Sequence, residues 1–264
     1  MLDISTIDYS HLDSPEVLMR LFHPRAEYGS IEKTDGATDV LIPVEKKIVV
    51  GGRFHMSKES APNVLFFHGN GEIVADYNDL GPLYISNGLN FMPVDYRGYG
   101  RSTGRPTVAA MMMDCHSIFE FTKRWLRDNG YTGRFIVMGR SLGSAPALEL
   151  ASHYKEQIDG LIVESGFAYT GPLLSLLGIN TSTMDFREEK GFLNLEKIRV
   201  WEKPTLVIHA EFDQIIPFSD GQALYDACPA PDKTILKIPG ANHNDIFVRG
   251  LEAYMRAVRS VSGK

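Results

Sequence analysis

The hydrophobic positions of the chain fall into short compact runs separated by longer amphipathic stretches. Apolar runs of strand length that alternate with helical segments are typical of strands buried on both faces of a sheet. The pattern therefore predicts an α/β fold with a mostly parallel sheet covered by helices. The predicted strands cover residues 64–67, 90–94, 135–138, 161–163, 205–208 and 234–238, and the predicted helices cover residues 73–87, 107–129, 142–154, 219–227 and 245–261.

Three regions depart from this alternation. Residues 28–33, 40–43 and 45–56 are β-prone and predict antiparallel strands at one edge of the sheet, with a turn or bulge at Gly51 and Gly52. Residues 1–27 carry a short helix, which we expect to dock onto the rest of the chain.

Ser14 precedes this short helix as a candidate N-cap, and Pro15 suits its first position. The third departure is the segment 169–203, which is longer than a crossover between neighbouring strands requires. We expect it to form a lid over the carboxyl ends of the strands, where open α/β sheets bind ligands.

Composition narrows the class of protein. A chain of 264 residues, 44% of them apolar, is compatible with one α/β domain spanning residues 1–264. The formal charge of −6 and the lack of a Lys/Arg block argue against a nucleic-acid partner. No secretory signal or membrane-spanning apolar run is present, so we expect a cytoplasmic protein without integral membrane association. Cys115 and Cys228 show no disulfide or metal-binding pattern, and we expect neither cofactor nor metal.

Residues 139–143, Gly-Arg-Ser-Leu-Gly, lie between a predicted strand and a predicted helix. A sharp turn in this context exposes the hydroxyl of its serine, and the flanking glycines let strand and helix approach closely. Ser141 is therefore the candidate nucleophile, although the pattern alone is common and Ser141 could instead cap the helix. Arg140, next to it, could bind an anionic substrate, but pairing with a nearby carboxylate is the more frequent use of such an arginine.

A serine hydroxyl needs a base to remove its proton. His243 follows the last predicted strand and is the best candidate, and Asp213, in the loop after strand 205–208, is the candidate acid that orients it. Glu211 and Glu164 are rival acids at the same edge. His243 could instead cap a helix, and Asp213 could order its loop. The order Ser, Asp, His along the chain disfavours those alternatives.

Acyl transfer also needs donors for the developing oxyanion. The candidates are the backbone N–H of Leu142 and a donor from Asn70, in the loop 68–71 after an early strand. Asn70 could instead serve a tight turn. His68 in the same loop is expected to order it.

Five landmarks together resemble the α/β-hydrolase superfamily, particularly its small-lid serine hydrolases, which include depalmitoylase-like and related lipid-ester enzymes. They are HGNGE at 68–72, DYRGYGRSTGRPT at 95–107, GRSLG at 139–143, HAEFDQIIP at 209–217 and GANHND at 240–245. The resemblance implies an α/β-hydrolase fold with a short lid. It also implies that loop 95–107 is ordered beside the site, with Asp95 and Arg97 in polar bracing.

These features favour a serine hydrolase that cleaves a carboxylic ester or thioester, with an acyl chain as a candidate substrate group. Leu173, Leu176 and Leu177 of the lid are candidate substrate-binding residues, although packing against the sheet would explain them equally well. The alternatives are an amidase or peptidase with the same triad, and a ligand-binding protein without catalysis on the same scaffold. The sequence does not determine an oligomeric state.

Overall fold

A computed structural model of the chain describes residues 6–28, 37–184 and 186–263. Within these residues, eight strands form one sheet with the order β1-β2-β4-β3-β5-β6-β7-β8. The strands β3 to β8 are parallel to one another, whereas β2 is antiparallel to both of its neighbours, β1 at the edge and β4. The strands are β1 (Ala37–Glu45), β2 (Ile48–His55), β3 (Asn63–Phe67), β4 (Asn90–Val94), β5 (Phe135–Arg140), β6 (Gly160–Glu164), β7 (Thr205–Ala210) and β8 (Lys233–Ile238).

Helices cover both faces of this sheet, because successive residues of each inner strand point to opposite sides. In β3, for example, Leu65 packs into one core together with Leu148, whereas Phe66 packs into the other together with Tyr84 and Tyr254. The helices are α1 (Pro15–Leu21), α2 (Leu80–Ser86), α3 (Val108–Asp128), α4 (Ser144–His153), α5 (Thr170–Leu176), α6 (Asn194–Ile198), α7 (Phe218–Ala227) and α8 (Ile246–Val261).

The edge hairpin differs from the prediction of a turn or bulge at Gly51 and Gly52. Both glycines lie inside β2, and the hairpin turns at Lys46 and Lys47, where Lys47 has a φ of +69°. A Cβ atom at Gly52 would lie 3.1 Å from Val40 Cγ2, so a side chain there would crowd the neighbouring strand β1. The predicted strand at 28–33 lies outside the described residues except for Tyr28, which is in none of the strands.

The helix predicted at 73–87 is divided. A 3₁₀ helix at Val74–Tyr77 is followed by α2, which begins at Leu80. Pro82 explains the division, because proline has no N–H to donate and fits only the first turn of a helix. The segment 142–154 likewise begins with a 3₁₀ turn, Ser141–Gly143, before α4.

The N-terminal segment forms the predicted helix. Ser14 caps α1 by accepting a hydrogen bond from Val17 N, and Pro15 is its first residue. Val17 and Leu21 are buried in the core that contains α3 and α4. The N-terminal segment therefore packs onto the rest of the chain.

The region 169–203 consists of short helices rather than one long crossover. It contains α5, α6 and two 3₁₀ turns at Thr181–Met184 and Glu188–Lys190. Asn194 at the start of α6 ties this region to the strand edge by donating to Phe167 O over 2.9 Å. Across the described residues, no helix is both long and apolar enough to cross a membrane.

Candidate active site

Four loops that follow parallel strands carry the candidate residues. The loop with Asn70 follows β3, Ser141 follows β5, Asp213 follows β7 and His243 follows β8. Parallel strands end at the same edge of a sheet. The topology therefore brings all four residues to one rim.

The turn after β5 has the geometry of an elbow. Ser141 has a φ of +50°, in the left-handed region that non-glycine residues rarely adopt. A Cβ atom at Gly139 would lie 2.1 Å from Gly143 O, and a Cβ atom at Gly143 would lie 2.1 Å from Phe67 O. Close backbone contacts thus require glycine at both positions. The contact of Gly143 with Phe67 O packs the elbow directly against the end of β3.

Asp213 and His243 are hydrogen-bonded to each other. His243 Nδ1 donates to Asp213 Oδ2 over 2.7 Å, and both residues are buried. The other carboxylate oxygen accepts from Ile215 N at 3.0 Å and from Ile216 N at 2.8 Å. Burial opposes the charge of Asp213, but the hydrogen bond and electrostatic attraction of the His243 ring and the backbone hydrogen bonds of Ile216 and Ile215 outweigh it and lower the pKa of the carboxyl. An ionised acid held in this way fixes the orientation of the imidazole ring.

The loops of Ser141 and His243 are joined through the residue before the serine. Arg140 Nη2 donates to the main-chain carbonyl of His243 over 2.9 Å. Arg140 also forms ion pairs with Glu72 and Glu164, so it pairs with carboxylates as its position in the sequence favoured.

The two rival acids have other partners. Glu164 accepts from Arg140 at 2.8 Å and from the Tyr254 hydroxyl at 2.6 Å, and Glu211 accepts from Gly240 N at 2.9 Å. Of the three carboxylates, Asp213 is the one hydrogen-bonded to the His243 ring.

His209, at the end of β7, also approaches Asp213. Its Nε2 atom donates to Ile216 O over 2.8 Å and lies 3.6 Å from Asp213 Oδ2. Burial lowers the pKa of this imidazole, so the ring is neutral. His209 orders the loop of the acid, a role that sequence reasoning missed.

The side chain of Asn70 points to the N-terminal segment. Its Oδ1 atom accepts from His23 N at 2.9 Å and from the Tyr99 hydroxyl at 2.8 Å, and its Nδ2 atom lies 3.0 Å from His23 Nδ1. The Asn70 side-chain amide is thus engaged by His23 and Tyr99, and the main-chain N–H is the group of Asn70 that remains as a candidate oxyanion donor. Arg25 adds a hydrogen bond from Nε to Gly71 O at 2.8 Å.

The bracing residues of the rim form the expected polar contacts. His68 Nδ1 donates to Gly69 O over 2.8 Å, and His68 Nε2 lies 3.3 Å from Asp95 Oδ1. Arg97 forms two hydrogen bonds of 2.7 Å with the carboxylate of Asp114. These contacts order the loops around the rim.

A cleft of about 410 Å³ lies between α5 and the loop of Asp213. Leu173 and Leu176 of α5 line it on one side, and Ile215 and Ile216 line it on the other. Leu177 does not line this cleft; it packs partly buried against the core, and its carbonyl accepts from Arg20 Nη1 at 3.0 Å. Two of the three predicted substrate-binding leucines therefore share one apolar surface.

One group of possible metal ligands occurs within the described ranges, away from the rim on α3 and α4. The ligand atoms of His116, Glu149 and His153 lie within 4.8 Å of one another. Glu149 already forms a salt bridge of 2.6 Å with the buried Lys197. Its charge is thus balanced without an ion.

Comparisons with known proteins agree with this architecture. A model of the family described as "Serine aminopeptidase, S33" matches residues 58–182. The alpha/beta hydrolase domain-containing protein aho-3 of Caenorhabditis elegans is 32% identical over 202 residues, covering 75% of this chain and 56% of the relative. The human alpha/beta hydrolase domain-containing protein 17B is 31% identical over 198 residues, covering 71% of this chain and 62% of the relative. The chain thus spans less than two thirds of the length of these relatives.

Solved structures show the same fold at low sequence identity. The esterase Pf2001 of Pyrococcus furiosus has a TM-score of 0.72 at 20% identity, covering 90% of this chain and 97% of that one. Est1E of Butyrivibrio proteoclasticus, solved with ferulic acid bound, has a TM-score of 0.67 at 17% identity, covering 84% and 96%. The fold and the relatives define the class: the chain belongs to the α/β-hydrolase superfamily.

Proposed function

We propose that this protein is a serine hydrolase that cleaves a carboxylic ester or thioester through Ser141, His243 and Asp213. The observation that carries the proposal is the 2.7 Å hydrogen bond between His243 Nδ1 and Asp213 Oδ2 at the rim where Ser141 forms its elbow. This bond leaves Nε2 of the ring as the atom that accepts the serine proton.

The reaction has two halves. Ser141 Oγ attacks the substrate carbonyl while His243 takes its proton, and the tetrahedral intermediate collapses as His243 protonates the leaving alcohol or thiol. A water molecule, deprotonated by His243, then attacks the acyl-enzyme, and His243 returns the proton to Ser141 Oγ as the bond to the serine breaks and the acid is released. Asp213 stays ionised and stabilises the imidazolium in both halves.

The backbone N–H groups of Leu142 and Asn70 are the proposed oxyanion donors. Their proximity is supported by the close approach of Gly143 to the end of β3, since a Cβ atom there would lie 2.7 Å from His68 O. Donors fixed in the folded backbone need no reorganisation when charge develops, which is the condition for strong electrostatic stabilisation.

The acyl group of the substrate is proposed to lie in the cleft between α5 and the loop of Asp213. Leu173 and Leu176 provide an apolar wall there, and about 0.8 kcal/mol is gained for each methylene removed from water. A substrate with an acyl chain is therefore favoured over an acetyl ester.

An amidase or peptidase is the second candidate, and it is favoured by the description of the matching family as a serine aminopeptidase. The same triad serves both reactions, but an amine leaves less readily than an alcohol or thiol. The reaction is therefore distinguished by comparing p-nitrophenyl esters, acyl thioesters and p-nitroanilides that carry the same acyl group.

The decisive assay is hydrolysis of a p-nitrophenyl ester series from acetate to laurate by the native protein and by Ser141→Ala. We expect the native protein to turn over these esters, to prefer longer chains, and to lose turnover in the variant. Well-folded native protein that hydrolyses neither esters, thioesters nor anilides would contradict the proposal and favour a binding protein without catalysis.

A further inference from the structure

Arg140 is the centre of a buried polar network beneath the elbow. It is 7% exposed, and each of its three guanidinium nitrogens has a partner. Nε donates to Glu72 Oε1 at 2.9 Å, Nη1 to Glu164 Oε1 at 2.8 Å, and Nη2 to His243 O at 2.9 Å. The residue before the candidate nucleophile thus reaches two other loops of the rim and the end of β6.

Glu72 extends the network to the loop that carries Asn70. Its second oxygen, Oε2, accepts from Gly69 N at 2.6 Å and from the Tyr77 hydroxyl at 2.6 Å. A Cβ atom at Gly69 would lie only 2.8 Å from the same oxygen, so the main chain of the loop rests directly on the carboxylate. Glu72 therefore connects Arg140 to the backbone next to the proposed donor.

The charges of the network are stable at neutral pH. Burial opposes ionisation of Glu72, but the charge of Arg140 and the hydrogen bonds of Tyr77 and Arg140 outweigh it and lower the pKa of Glu72 to about 2. For Arg140, the two carboxylates likewise outweigh burial and raise the pKa of the guanidinium. The network is a permanent ionic structure rather than a proton relay.

We propose that Glu72 and Arg140 are positioning residues, which hold the loop 69–71 and the carbonyl of His243 in fixed places relative to Ser141. This role rests on the proposed function. It adds to that function the contacts that fix the positions of the oxyanion donors and of the base relative to each other. Both residues act through the loops that they hold, since the three guanidinium nitrogens of Arg140 and both carboxylate oxygens of Glu72 have partners within the protein. Small misplacements of oxyanion donors reduce the rate of reaction much more than the binding of substrate.

The substitution Glu72→Gln tests this role without a change of volume. Both carboxylate oxygens face donors, Arg140 Nε on one side and Gly69 N with the Tyr77 hydroxyl on the other. A glutamine must turn its NH₂ group towards one of these donors, which breaks the link on that side. The connection between the elbow and the oxyanion loop is then lost, while the glutamine side chain still fills the volume that Glu72 occupies.

Glu149→Gln is the matched control. Glu149 is 4% exposed, and its Oε2 atom contacts the Tyr9 hydroxyl at 2.5 Å and Lys197 Nζ at 2.6 Å. Its pKa is also lowered to about 2, because the attraction of Lys197 and its hydrogen bonds outweigh burial. Both variants thus remove the charge of a carboxylate that is paired with a cation, although the Glu72 side chain is 27% exposed and that of Glu149 only 5%. Glu149 lies on α4, and its hydrogen bonds and ion pairs are with residues outside the oxyanion loop.

The experiment measures kcat and KM on p-nitrophenyl esters, the affinity for a trifluoromethyl ketone, and unfolding in urea. For Glu72→Gln we expect kcat to fall about 10- to 100-fold, KM to change less than about threefold, and ketone affinity to fall in parallel with kcat. Glu149→Gln should lose comparable stability and keep kcat within about threefold. Tyr77→Phe removes one hydrogen-bond donor to Glu72 and should lower kcat by a smaller factor. It replaces Glu72→Gln as the test if that variant does not fold.

The possible failures are distinguishable. If the native protein is active and Ser141→Ala is not, a native kcat in Glu72→Gln or in a folded Tyr77→Phe overturns the positioning role alone. Equal losses of kcat in Glu72→Gln and Glu149→Gln also overturn it, because they show a general loss of structure. If the native protein has no more activity than Ser141→Ala, the proposed function fails, and the positioning role fails with it.

Discussion

Gly143 and Phe67 are packed so closely that a Cβ atom on the glycine would lie 2.1 Å from the carbonyl oxygen of Phe67. This contact joins the elbow after β5 to the end of β3. Because the neighbouring atoms belong to the backbone, they cannot move aside as a flexible side chain would.

Gly143→Ala should therefore destabilise the protein and displace the elbow. We expect a loss of about 1–3 kcal/mol in the free energy of unfolding, as for other overpacked sites. Urea unfolding measures the loss. Gly171→Ala is the control, since its Cβ atom would lie 3.2 Å from the end of the Glu188 side chain, and it should change stability by less than about 0.5 kcal/mol. Equal stability of the two variants would contradict the packing argument.

The assignment of the acid predicts a large difference between two neighbouring substitutions. Asp213→Asn should lower kcat about 10⁴-fold, because an amide no longer holds the His243 tautomer or its positive charge. Glu211→Gln should stay within a few-fold of the native kcat, since Glu211 bonds Gly240 N instead of the ring. Ester turnover by the two variants decides the matter, and the reverse ranking would transfer the role to Glu211.

The acyl cleft predicts a change that depends on chain length. Leu176 is 52% exposed, so Leu176→Asp should fold normally and place a charge on the wall of the cleft. We expect kcat/KM for the laurate ester to fall at least about tenfold, whereas that for acetate changes little. Leu41→Asp, on the edge strand and 56% exposed, is the control. A uniform effect on all chain lengths would rule out acyl binding by Leu176.

The salt bridge of Glu149 with Lys197 predicts a pH dependence of stability. The pKa of Glu149 is lowered from 4.5 to about 2, so its stabilisation is complete above pH 4.5 and is lost as the pH falls towards 2. The stability difference between the native protein and Glu149→Gln should shrink by about 1 kcal/mol per pH unit below 4.5. Urea unfolding at pH 7, 5, 4 and 3.5 measures it; a constant difference would argue against an ionic contribution.

The alternation of strands and helices could be predicted because β3 to β7 are buried on both faces and read as short apolar runs. The predicted bounds of strands and helices were wrong where contacts with distant parts of the chain, rather than the local sequence, determine the conformation. Gly51 and Gly52 suggested a turn, yet they lie within β2, where a Cβ atom at Gly51 would lie 3.2 Å from Asp95 Oδ2 and one at Gly52 3.1 Å from Val40 Cγ2. The helix α5 is too short for its hydrophobic periodicity to show which side faces the cleft. The sequence therefore did not indicate that Leu176 lines the cleft and Leu177 does not.

The candidate site was predictable where a residue type and its place after a strand coincide, as for Ser141, Asp213 and His243. Glu72 carried no such signal. Its partner Arg140 lies 68 positions further along the chain, and no local pattern links them. The contacts of the Asn70 side chain could not be predicted either, since its partner His23 belongs to a segment that is distant in sequence and is brought near only by the fold.

Covalent labelling by a fluorophosphonate tests the central claim most directly. The reagent traps an activated serine, and mass spectrometry of the intact protein and its peptides identifies the modified residue. We expect one adduct per native chain on Ser141, with a much slower reaction in Asp213→Asn and none in Ser141→Ala. Folded native protein that stays unlabelled, or that carries the adduct on another residue, would contradict the assignment of Ser141 as the nucleophile.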